Sequence, residues 1–270
     1  MGWLRDKLID AAGRALTKPR RQYQLLHPND VGKLRATLRK GDVVLVDGDQ
    51  RVSEVIKYLT QSSWSHSALY VGDEILRRFP DRREALVDQH GIEAEHMIVE
   101  ALMEGGVIAS PLVKYVDLNL RVCRPRSLRA EDAARIIEEV VAQLGSTYDV
   151  QHLLDLARYF FPVTLIPRRF RRKALEVGDL TANVICSSML GRAFQNVGFP
   201  ILPAIEAAAG ERQGWADWLR RRKMPYPALF HRQRETLITP RDFDLSPYFD
   251  VVKFNAVELG QFDYRRIRWA

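Results

Sequence analysis

Cysteine is scarce in this chain: its 270 residues include two, Cys123 and Cys186. Two cysteines make no disulfide framework, and a bridge between them would consume the one with an informative setting. A reducing, cytoplasmic setting is therefore expected, with peripheral membrane association as its alternative. No uninterrupted apolar run reaches the ~18 residues that a membrane span needs. A phosphate-cradling glycine loop is also missing, since "MEGGV" at 103–107 reads as a hairpin turn. No His/Cys spacing resembles a zinc set, so neither a metal nor a cofactor is expected.

What remains is ordinary for a globular chain, with 46% hydrophobic and 28% charged residues. The length suffices to bury a sizeable core without staples. The formal charge of +7 clusters in "PRRFRRK" at 167–173 and "RRRK" at 220–223. Such runs suit phosphates, anionic lipid or acidic polymers, or are simply solvated faces. Neither sits in a nucleic-acid motif with stacking aromatics, so no specific nucleic acid is expected. Near the start, Trp3, Leu4, Leu8, Ile9, Ala12, Ala15 and Leu16 fall at helical spacing before Pro19. Arg5, Asp6, Lys7 and Asp10 interrupt the apolar core that a secretory signal would need. The expected division is an amphipathic helix and linker over 1–30 and one domain over 31–270. That helix packs on its own domain or a second copy, or lies on a membrane surface.

Apolar patterning predicts strands over 43–46 and 66–71, two more around the Gly105-Gly106 turn, and one over 119–125 stopped by Pro125. A late strand is expected in "YFDVVKF". Helical spacing marks residues 52–59 and "AEDAARIIEEVVAQLG", with Ala133, Ile137, Val140 and Leu144 on one face and Gly145 at its end. The charged excursion 74–95 receives no assignment. Strands first and helices later argue for an α+β class.

The stretch "TANVICSSMLGRAFQNVG" at 181–198 predicts another helix, with Asn183 as cap and Ile185, Met189, Ala193 and Val197 as its core face. Cys186 stands one residue off that stripe in the first turn. Unpaired amides and the helix dipole favour a thiolate there, although a buried structural cysteine is the commoner outcome. A catalytic thiolate needs a partner base. Of six histidines, His66 opens a strand directly after "SSWS", a junction suited to displaying a side chain from a rigid sheet. Glu100 lies within the apolar run "MIVEAL", where a carboxylate is costly unless paired. If strands 66–71 and 97–102 are antiparallel neighbours, Glu100 reaches His66. An arginine paired with Glu100 in a purely structural role is the competing reading.

"GDVVLVDGD", "SSWSHSALYVG", "IVEALMEGGV", "GSTYD" and "VICSSML", in that order, resemble the permuted papain-like amidases of the YaeF/YiiX type, which are circular permutants of the NlpC-type cysteine hydrolases. The resemblance spans roughly 38–254. It implies a permuted papain-like fold, an antiparallel sheet or barrel packed against the helix that carries the nucleophile. The permutation puts the sheet first, so the base precedes the cysteine. By resemblance Cys186 is the nucleophile, His66 the base and Glu100 the third polar residue of a thiol hydrolase. Tyr148, Trp64 and Ser187 are carried over as substrate- or oxyanion-side residues. The implied substrate is a peptide, a small amide or an acyl compound. Two alternatives stay open: a lipid acyltransferase or esterase using the same triad, as in lecithin-retinol-acyltransferase-like enzymes, or a non-catalytic anion-binding module. One departure is Cys186-Ser187-Ser188, where relatives commonly carry Cys-Ser-Glu.

Overall fold

The structure, a computed structural model, describes residues 23–102, 105–146, 186–202 and 238–254, the side chains of Arg51, Val52, Val55, Leu59 and Cys186 excepted. The N-terminal amphipathic stretch, both basic clusters, Asn183 and Tyr148 lie outside the described residues.

Six strands form one antiparallel sheet: β1 (Val43–Asp47), β2 (His66–Gly72), β3 (Met97–Leu102), β4 (Gly106–Pro111), β5 (Asn119–Pro125) and β6 (Phe249–Val252), in the order β4-β3-β2-β1-β5-β6. The central strands read as nearly continuous apolar runs because both sheet faces are covered. Alternation along the strands sorts their side chains into two cores. Val43, Leu45, Leu69, Val71, Val99, Ala101 and Cys123 form one with helices α5 (Ala130–Ala142) and α6 (Cys186–Asn196). Val44, Val46, Ala68, Tyr70, Ile98 and Val122 form the other, closed by Leu34 of α1 (Val31–Thr37) and by Leu112 and Tyr115 of a 3-10 turn (Leu112–Tyr115). Helix α2 (Arg51–Thr60) connects β1 to the loop before β2.

The excursion 74–95 folds as α3 (Glu74–Arg78), a 3-10 turn, α4 (Arg83–His90) and a second 3-10 turn. Its pieces are too short and charged to show helical periodicity, and only Ile75, Leu76 and Ala94 are buried. In α5 the buried face is broader than the expected stripe, with Ile136 and Val141 joining Ile137 and Val140.

Helix α6 buries Met189 and Ala193 as its spacing predicts, together with Leu190 and Phe194. The Phe194 ring centroid lies 5.6, 6.1 and 5.4 Å from those of Phe199, Phe243 and Phe249. Phe243 belongs to α7 (Pro240–Leu245), whose start is fixed by a capping box between Thr239 and Asp242. Gly191 lets Ile238 approach this helix: a Cβ at 191 would stand 2.5 Å from Ile238 Cδ1. Glycine normally lowers helix stability relative to alanine. Here Gly191→Ala is expected to destabilise the fold instead, by about 1–3 kcal/mol. Urea unfolding checks this, and an unchanged or raised midpoint would show that Ile238 yields without cost.

Candidate active site

His66 is the first residue of β2, at the rim of the sheet. The pairing of β2 with β3 puts Leu69 opposite Val99, so Glu100 stands opposite Ala68 and diagonal to His66, on the same face. His66 Nε2 lies 2.7 Å from Glu100 Oε2. The expected antiparallel pairing and the expected contact both occur.

Glu100 is 0% exposed. Its carboxylate has two further holders, from the 3-10 turn after β4. Lys114 Nζ donates to Oε1 at 2.7 Å, and the Tyr115 hydroxyl donates to Oε2. Burial alone would push this carboxyl up. The His66, Lys114 and Tyr115 contacts outweigh it and hold the group down to about 2. A cation does pair with Glu100, as the structural reading required, but it is a lysine, and it binds the oxygen that His66 leaves. An ionised carboxylate only accepts hydrogen bonds, so His66 Nε2 carries the proton and Nδ1 is the basic nitrogen. The Tyr115 ring centroid stands 5.8 Å from that of the imidazole, tilted by 53°.

The other described histidines lack this seat. His27 is exposed and His90 lies at the end of α4. His96 precedes β3, at the opposite end of the sheet, where its Nδ1 lies 2.8 Å from the Tyr70 hydroxyl.

Helix α6 packs on β2 and β3. Its C-terminal half is anchored by Phe194 against Phe249, which pairs with Pro125. Asn119, at the other end of β5, pairs with Asp47, beside the start of β2. The last turns of α6 are thus remote from His66. Cys186, about 12 Å back along the axis from Phe194, is the first described residue of the helix.

Ser187 is fully buried, and Ser188 partly so. Trp64 is 7% exposed. Its indole Nε1 donates to Asp244 Oδ2 at 2.9 Å, and Arg121 both pairs with Asp244 and covers the ring, its Cζ 5.0 Å from the centroid. Cys123 is the contrasting thiol. Burial, reinforced by Asp244, pushes it up to about 12, which leaves it inert at neutral pH. Among the described residues no group of three or more His, Cys, Asp or Glu side chains is placed to hold a metal ion.

Lys114, Tyr115, Arg121 and Asp244 were not found by sequence reasoning. Nothing in "PLVKYVD", "PRDFDL" or the strand "NLRVCRP" marks them, because their contacts arise from where remote segments land on the sheet.

Residues 37–196 match the family described as permuted papain-like amidase enzyme, YaeF/YiiX, C92 family. Among solved structures the chain is similar to the metalloprotein yiiX from Escherichia coli O157:H7, at 17% identity and a TM-score of 0.43, over 80% of this chain and 97% of that one. Comparison with curated proteins found no match. With the family match covering more than half of its length, and a mixed helix and antiparallel-sheet architecture that agrees with it, the chain belongs to the permuted papain-like amidases, a family of papain-like cysteine hydrolases.

Proposed function

We propose that the chain is a thiol amidase or peptidase that works through Cys186, His66 and Glu100. The observation that carries this reading is the His66–Glu100 pair, with its carboxylate fully buried and held on both oxygens. A fold pays heavily to bury such a charge. Here the result is one histidine with a fixed tautomer at the rim of the strand on which the cysteine helix packs.

In the proposed reaction His66 Nδ1 takes the Cys186 thiol proton, giving a thiolate–imidazolium pair that Glu100 stabilises from behind. The thiolate sulfur attacks the substrate carbonyl carbon, and the oxygen takes the charge, with the Cys186 backbone N–H as one donor to it. The imidazolium gives its proton to the leaving nitrogen as the C–N bond breaks, leaving a thioester. Water then loses a proton to His66 and attacks the thioester. The acid departs and the sulfur regains its proton.

The test is alkylation by iodoacetamide near pH 6, with modified residues identified by mass spectrometry. Cys186 is expected to react on the order of 10–100 times faster than a free thiol of ordinary pKa, and Cys123 not at all in the folded protein. His66→Ala is expected to remove the advantage. Equal, slow labelling of Cys186 in both proteins would overturn the assignment and favour a binding module.

A further inference from the structure

Helix α7 lies beyond the residues that match the family, yet it touches both the helix that carries Cys186 and the loop that leads to His66. On one side Phe243 is fully buried against Phe194 of α6, the helix that carries Cys186. On the other side α7 grips both ends of the loop between α2 and β2. Arg241 Nη1 donates to the Thr60 carbonyl at 3.2 Å, where that loop begins. Asp244 accepts from Trp64 Nε1 at 2.9 Å, two residues before His66. The second Asp244 oxygen pairs with Arg121 of β5, so one carboxylate ties the indole to the sheet while the guanidinium covers its ring.

We propose that α7 is a clasp that sets the nucleophile helix against the histidine loop, with Asp244 as its positioning residue. The proposal rests on the reading of Cys186 and His66 as a catalytic pair. Asp244 touches no reacting atom in this scheme. It acts through Trp64, fixing where the backbone enters β2 and therefore where the imidazole stands relative to α6. A thiolate–imidazolium pair requires hydrogen-bond distance, so a displacement of about 1 Å at the histidine costs up to ~100-fold in a reaction that depends on it.

The experiment measures the pH profile of Cys186 alkylation in the full chain, for wild type, His66→Ala, Asp244→Ala, Asp244→Asn and Trp64→Phe. Circular dichroism is recorded for each. Asp244→Ala is expected to lower the rate near pH 6 by about 10–100-fold and return the profile to the single step of a free thiol near ~8.5. Asp244→Asn keeps an acceptor for the indole and is expected to stay within about threefold of wild type. Trp64→Phe keeps a ring but loses the donor. It should follow Asp244→Ala in direction, and the double variant should add little, because both remove one bond. A folded Asp244→Ala protein with a wild-type profile overturns the clasp. If Asp244→Ala does not fold, Trp64→Phe decides, and an unchanged profile there overturns it equally. A wild-type protein without any His66-dependent reactivity near pH 6 is a different failure, that of the catalytic pair itself.

Discussion

Glu100→Ala is expected to lower folding stability by about 3–5 kcal/mol and turnover by roughly 10³–10⁴-fold. Both effects follow from one feature: the fully buried carboxylate is the common acceptor for His66, Lys114 and Tyr115. Its removal takes away the carboxylate acceptor of the Tyr115 hydroxyl, and the Lys114 ammonium, whose side chain is 34% exposed, must turn to solvent. That partial exit places the stability loss toward the lower end of the range. The imidazole loses the acceptor that fixes its tautomer, so Nδ1 is no longer held as the base. Glu100→Gln separates the two effects, because the amide keeps the shape while losing the charge.

Acid makes the same point by another route. The folded protein holds Glu100 down to about 2, against an ordinary 4.5. A depressed folded value means that its stabilisation is present in full above about pH 4.5 and is lost as pH falls toward about 2. That gap corresponds to about 3 kcal/mol. Urea midpoints measured at pH 7, 4 and 2.5 should fall steeply in wild type across this window, and less so in Glu100→Gln. Parallel curves for the two proteins would mean that the buried carboxylate contributes little to acid sensitivity.

Cys186→Ala is expected to abolish turnover, with a loss of at least ~10³-fold on any amide or ester substrate found by screening. Nothing else in the proposed scheme can form the acyl intermediate. Cys123→Ala is the matched control: that thiol is 0% exposed and pushed up to about 12 by burial, so it is no nucleophile. The control variant should keep its turnover and lose about 1–2 kcal/mol of stability from the core. If Cys186→Ala retained activity while Cys123→Ala lost it, the nucleophile assignment would be refuted.

How legible this site was depended on distance along the chain. Glu100 betrayed itself because a carboxylate amid "MIVEAL" must find a partner, and a short antiparallel return supplies His66 within hydrogen-bond distance. Lys114 follows Glu100 by 14 residues, yet it escaped notice. A lysine in a turn is usually solvated, and only the path of β4 brings this one back over β3. Trp64 and Asp244 are 180 residues apart, and no local pattern ties a tryptophan before a strand to an aspartate in a six-residue helix. The excursion 74–95 escaped for a different reason. Its helical pieces are held by a few buried residues and by ion pairs such as Lys40–Glu74, which leave no periodic trace.

The sequence by itself determined the strand set, the α+β order, the helix over 186–196 and the pairing of Glu100 with His66, because alternation, helical spacing and the cost of an unpaired buried charge are local properties; the role of Cys186 as nucleophile is what the family resemblance implies. The tertiary structure alone decided that His66 turns Nε2 to Glu100 and keeps Nδ1 as its basic nitrogen, that Lys114 and Tyr115 hold Glu100 ionised, and that α7 joins the cysteine helix to the histidine loop. Those outcomes depend on which side chains meet across the sheet, which follows from the packing of remote segments and is not encoded in any one of them.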